Sequence, residues 1–304
     1  MILKPTVLIL GAGASHPYGY PLGGELVRII AQKTATGGEL RAALSYDLTM
    51  NAFHTRLRES EVLSIDDFLE SNPAFAPLGK MCIVAALTVW GPRHDHEPNA
   101  AAHWYKYLWG RLHEGAATSE DFRRNHLRII TYNYEMSLER YFSRVLSRMY
   151  PDLADAGEPA VAGFLREVIP IVHLHGTLGN ADAVVQPRIE REAYLDPTFL
   201  GQTANGIRIV HEDESTSEYE TAHEWLREAV NLHILGFGYH ATNIRRLDLV
   251  TQTRAGTTLQ AFGGTALHME EGERTRANRA INFRGGSLYP MDCLQYLRSQ
   301  AILE

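Results

Sequence analysis

The chain has 304 residues, 45% of them hydrophobic and 21% charged, enough apolar material for one large globular core or two modest ones. Its 29 Lys and Arg against 36 Asp and Glu leave a net charge of −7, the wrong sign for coating nucleic acid by bulk electrostatics, so no direct nucleic-acid binding is expected. No apolar run approaches the roughly 20 residues of a membrane span, and MILKPTVLIL leads into a glycine turn instead of a signal cleavage site, so a cytoplasmic protein without membrane contact is expected.

Val7, Leu8, Ile9 and Leu10 form a short continuous apolar run, the pattern of a parallel strand covered on both faces. Gly11, Ala12, Gly13, Ala14 and Ser15 follow, all small. Such a turn lets a ligand approach the backbone closely, and the N–H groups of a following helix can point at a phosphate or pyrophosphate. A tight strand-to-helix turn that binds nothing has the same look. The dinucleotide fingerprint G-x-G-x-x-G fails at its sixth position, His16, and no clear second strand with an acidic end follows about 20 residues on, which argues against an ordinary dehydrogenase.

PLGGELVRIIAQ carries Leu22, Leu26, Ile29 and Ile30 at helical spacing, which sets the turn at a helix N-terminus. From about 38 to 124 the pattern is mainly helical. Ser64 caps SIDDFLESN with Asp67 three places on, GKMCIVAALTVWG is a buried helix, and NAAAHWYKYLWGRL is amphipathic behind an Asn99 cap. The stretch reads as a helical insertion within a single domain spanning 1–304. Strand patterns return at LRIITYN, VIPIVHLHG and NLHILGFGY, and YEMSLERYFSRVL between the first two is a helix with Leu138, Tyr141, Phe142 and Val145 on one stripe. TTLQAFGG and DCLQYLRS supply a last strand and a closing helix, and HEDESTSEYE is a solvated loop or helix start. The fold class expected is α/β, a Rossmann-like doubly wound, mostly parallel sheet with a helical insertion.

Ligands of such sheets bind beyond the carboxyl ends of the strands, and those ends here read GAGAS, TYNYE, HLHG and LGFGYHATNI. The strand period of two puts His173 and His175 on one face and lets Asn133 and His175 face one cleft. His94, Asp95, His96 and His103 lie close in sequence, but H-x-H in a proline-containing loop is more simply polar surface, and no metal is expected. Tyr105 and Trp109 read as core or an oligomer contact.

In chain order these features resemble the sirtuin-like superfamily. The G-A-G-x-S turn is Gly11 to Ser15 with Gly19 and Pro21 behind it; T-x-N-Y-[DE] is Thr131 to Glu135; H-G is His175 and Gly176; G-F-G-x-x-x-x-N-I is Gly236 to Ile244. Deacylases of that superfamily carry a zinc module of four cysteines, whereas this chain has only Cys82 and Cys293, far apart and without a C-x-x-C pair. The chain is more similar to the zinc-module-lacking bacterial branch that hydrolyses NAD+ in anti-phage defence. That resemblance implies NAD+ as substrate, cleaved to nicotinamide and ADP-ribose. It implies catalytic roles for Asn133, on the ribose or attacking water, and for His175 as general base. It further implies cofactor-binding roles for Gly11, Ala12, Gly13, Ala14, Ser15, Gly19, Pro21, Thr131, Gly236, Gly238 and Asn243, and no more than an orienting role for Glu135; His173 reads as a buried structural histidine on its strand. Restraint by homo-oligomerisation, or by a separate sensor or ATPase chain, is expected by the same analogy. The alternatives are an NAD or ADP-ribose sensor module without turnover, and an NAD-dependent protein deacylase or ADP-ribosyltransferase.

Overall fold

The computed structural model describes residues 1–92, 102–178, 191–209, 216–252, 258–281, 286–301 and 303. Two compact units divide the chain: Met1–Pro17, Pro98–Leu174 and Glu214–Glu304 form one, and Tyr18–Glu97 with His175–Asp213 the other.

The first unit holds the sheet. Its strands are β1 (Thr6–Leu10), β2 (Leu127–Thr131), β3 (Ile171–His173), β4 (Asn231–Leu235), β5 (Ala261–Thr265) and β6 (Ser287–Tyr289), in the order β3-β2-β1-β4-β5-β6. All neighbours are parallel, and with helices flanking the sheet the fold is α/β, doubly wound and Rossmann-like. The central strands β1 (TVLIL) and β4 (NLHIL) are buried at every position, as strands covered on both faces must be, and the polar Asn231 and His233 of β4 find partners in Thr6 Oγ1 and the Tyr296 hydroxyl. The edge strands β3 and β6 have three residues each, which keeps little unpaired backbone on the sheet margins. On one face, Val7, Ile9, Ile130, Leu232 and Ile234 pack with Tyr219, Ala222 and Leu226 of the Ser217–Glu228 helix.

The second unit is mainly helical. Gly23–Lys33, Glu39–Ala43, Met50–Glu59, Ile65–Ser71, Ala76–Thr88 and Pro197–Ala204 build it, the last packing on Ala76–Thr88. Its centre is aromatic: Phe53 meets Phe68 edge-on at 5.6 Å between ring centroids, and Phe75 stacks on Phe68 at 6.1 Å. Ala76–Thr88 is buried from Cys82 to Leu87 without a break, consistent with the apolar run CIVAAL. Between 38 and 124 the described residues contain helices and no strand.

Several boundaries differ from expectation. The glycine turn does not lead straight into the long helix: Ala12–Ser15 is a single helical turn, His16–Tyr18 is 3-10, and the long helix starts at Gly23. Pro17 brings no N–H and Gly19 takes φ +87°, so one continuous helix cannot run through. The amphipathic helix begins at Trp104 with His103 as cap, while Asn99 lies outside the described residues. Pro170 confines the third strand to Ile171–His173, and a sixth strand, β6, is too short to show a period in the sequence.

Candidate functional site

Strand order reverses between β1 and β4, and an open parallel sheet receives ligands in the crevice beyond the carboxyl ends at such a point. Leu10 pairs with both Thr131 and Leu235, so β1, β2 and β4 end at one level and deliver their loops together.

The two glycine turns lie in direct backbone contact. Gly11 N–H donates to Leu235 O at 3.0 Å and Gly13 N–H to Gly236 O at 2.9 Å. A Cβ on Gly11 would come within 2.6 Å of Gly236 O and 2.8 Å of Phe237 Cα; one on Gly13 would meet Gly236 Cα at 2.8 Å. Gly11 itself is extended, so its need for glycine is close approach, not backbone freedom. Gly236 needs both: its φ is +59°, and a Cβ there would fall on the Ala14 nitrogen. Thr265 secures this turn, its hydroxyl accepting from Gly236 N–H at 2.7 Å and its carbonyl accepting from the Tyr239 hydroxyl at 2.8 Å. Tyr239 is held at φ +53°, a strained value for a bulky residue. On the other side the buried Trp104 indole donates to Ala14 O at 2.7 Å.

Asn133 sits over the first turn. Its Nδ2 donates to Gly11 O and Ser15 Oγ, both at 3.2 Å, and since a carbonyl only accepts, the amide nitrogen is fixed on that side. With both amide hydrogens engaged, Oδ1 is the atom it offers a ligand. The buried Ser15 hydroxyl donates in turn to Ala12 O at 3.3 Å, so it serves the turn's own geometry. Thr131, also buried, accepts from Asn133 N–H at 3.0 Å.

Asn133 is joined to a residue pair of which the sequence singles out only His173, not its partner Glu139. His173 Nδ1 is 2.8 Å from Asn133 O, and its Nε2 is 2.5 Å from Glu139 Oε1. Burial opposes a charge on His173, but the Glu139 charge and hydrogen bond outweigh it, helped by the Asn133 carbonyl, and hold the imidazole above its usual range. Glu139 is a buried carboxylate on the Ser137–Met149 helix, among the apolar Leu138, Phe142 and Leu146; a carboxylate on that stripe was the available signal. Glu135 is buried as well, and burial raises its carboxyl pKa although Ser137 N–H donates to Oε2 at 2.6 Å.

The remaining expected residues are placed as follows. Asn243 lies on the Ala241–Arg246 helix and its carbonyl accepts from the Tyr132 hydroxyl at 3.2 Å; Gly238 lies against the His240 ring. Gly19, Pro21 and His175 belong to the second unit, whereas Asn133 belongs to the first. His175 is buried there, its carbonyl accepting from Arg208 N–H at 2.8 Å, and Gly176 follows at φ +74° in a bridge to Ile207. Tyr105 is core, its hydroxyl 2.7 Å from Ser137 Oγ.

Among the described residues no three His, Cys, Asp or Glu side chains converge as a metal site would require, and His94, Asp95 and His96 lie outside them. No helix among them is long and apolar enough to cross a membrane. No protein-family model matches the chain, and no curated protein sequence matches it.

Proposed function

We propose that this protein binds NAD+ at the β1/β4 crevice and hydrolyses its nicotinamide–ribose bond. The observation that carries the reading is the Asn133 amide seated on Gly11 and Ser15 where strand order reverses, with Oδ1 left for a ligand. Nicotinamide leaves as a neutral base from a cationic ring, so its departure needs no general acid. The developing oxocarbenium ion needs stabilisation and a water on its far face, the logic of glycoside hydrolysis with one role removed. In this mechanism Asn133 Oδ1 accepts from a ribose hydroxyl or from the attacking water. His175 takes the water's proton, a role that rests on the sirtuin-like resemblance. Thr131 and Ser15 position Asn133, and the paired glycine turns give a rigid floor. The same resemblance extends the proposal to an NAD-depleting effector of bacterial defence, restrained by self-association or by a separate sensor chain.

The second reading is nucleotide recognition without turnover; in either one the Gly11 and Gly13 N–H groups and the Ser15 hydroxyl, engaged within the protein, are not the donors that hold a pyrophosphate. Nicotinamide release from NAD+, measured on folded wild type, Asn133→Ala and His175→Ala, separates the two. Hydrolysis requires release by wild type and a loss of about 10²-fold or more in each variant. Binding of NAD+ by calorimetry with no release would shift the reading to a restrained effector awaiting its partner, or to a recognition module.

A further inference from the structure

Both backbone polar groups of Asn133 are tied, the N–H to Thr131 Oγ1 and the carbonyl to His173 Nδ1. Because that carbonyl can only accept, Nδ1 must carry a hydrogen. Nε2 then faces Glu139 Oε1 across 2.5 Å, where two lone pairs would repel, so one further proton lies between them. The pair therefore holds a single shared proton and is neutral as a whole, which suits the burial of both side chains, 9% and 11% exposed.

We propose that His173 and Glu139 form a positioning pair that fixes the Asn133 backbone, and through it the Asn133 amide, against the glycine turn. This rests on the reading that Asn133 faces the substrate; neither member of the pair touches it. The charged groups acting on His173 are Glu139 from the Ser137–Met149 helix and Glu135 from the turn before it, with Arg140 acting on Glu135. When the shared proton leaves, the Nε2 lone pair confronts a carboxylate, the contact opens, and the ring that carries Nδ1–H is no longer held in place on the Asn133 carbonyl. Glu139→Gln removes that repulsion, since a carboxamide can donate to a neutral imidazole.

The test compares wild type, His173→Ala, His173→Asn and Glu139→Gln by solvent exchange of the Asn133 side-chain amide in NMR spectra, and by nicotinamide release across pH. Asparagine keeps a donor where Nδ1 stands. In His173→Ala the amide exchanges faster and turnover falls about 10- to 100-fold, as expected for displacement of a reacting group by about 1 Å. His173→Asn recovers most of both. Wild-type turnover declines on the alkaline side, and Glu139→Gln abolishes that decline. Unchanged amide exchange in His173→Ala, or equal losses in the Ala and Asn variants, overturns the proposal. Should His173→Ala not fold, an alkaline increase in Asn133 amide exchange, corrected for intrinsic rates, that persists in Glu139→Gln overturns it as well. If wild type releases no nicotinamide, the exchange data alone decide the positioning role, so its failure and that of the hydrolase reading stay distinct.

Discussion

At the residue scale, the site depends on atoms that have no room to move. Gly236 combines a left-handed backbone with a Cβ position already filled by the neighbouring turn. Gly236→Ala should destabilise the fold by about 2 kcal/mol or more, read as a lower urea midpoint at constant slope. Trp104→Phe keeps most of the ring but leaves the Ala14 carbonyl without its indole donor. A cost of about 1–3 kcal/mol is expected by the same measurement, because a buried acceptor is left unsatisfied. The individual glycines were legible in the sequence. Their purpose was read there as space for a ligand, and the tertiary contact shows a second purpose, the meshing of two turns separated by more than two hundred positions in the chain.

Among the elements, strands were easier to read than helix edges. β1 appears as an apolar run because a parallel strand buried on both faces requires one, and β2 and β4 keep the pattern around Arg128 and around the buried Asn231 and His233. The Ser137–Met149 helix shows the limit of a stripe: Leu138 and Phe142 are buried as read, Tyr141 and Val145 are half-buried, and Glu139 and Leu146 take the inner positions instead. A pattern ranks residues by polarity and so passes over a carboxylate whose partner lies on a distant strand. Cysteine chemistry is also decided at this level. Cys82 sits inside Ala76–Thr88 and Cys293 at the start of Cys293–Ser299; burial pushes both thiols up, Cys293 to about 12. Neither should be alkylated at neutral pH in the native protein, and both should be after denaturation, as mass spectrometry would record.

For the whole molecule, stability should depend on pH through the buried groups under the site. His173 and Glu135 are both raised in the fold, so each binds its proton more tightly folded than unfolded. Their contribution is complete below the unfolded values, about 6.5 for histidine and about 4.3 for glutamate, and is lost as pH rises through the folded ones. The melting temperature should therefore fall on the alkaline side, with the His173 part absent in His173→Asn, as calorimetry across pH would show.

Length, charge, the strand runs and the small-residue turns were determined by the sequence alone, because burial and backbone freedom act locally and leave composition and period as their record. Tertiary structure decided the order β3-β2-β1-β4-β5-β6, since pairing between distant strands leaves no local mark. It also decided the contact between Gly236 and the first turn, and the His173–Glu139 pair under Asn133, because each depends on groups that meet only when the sheet has closed around them.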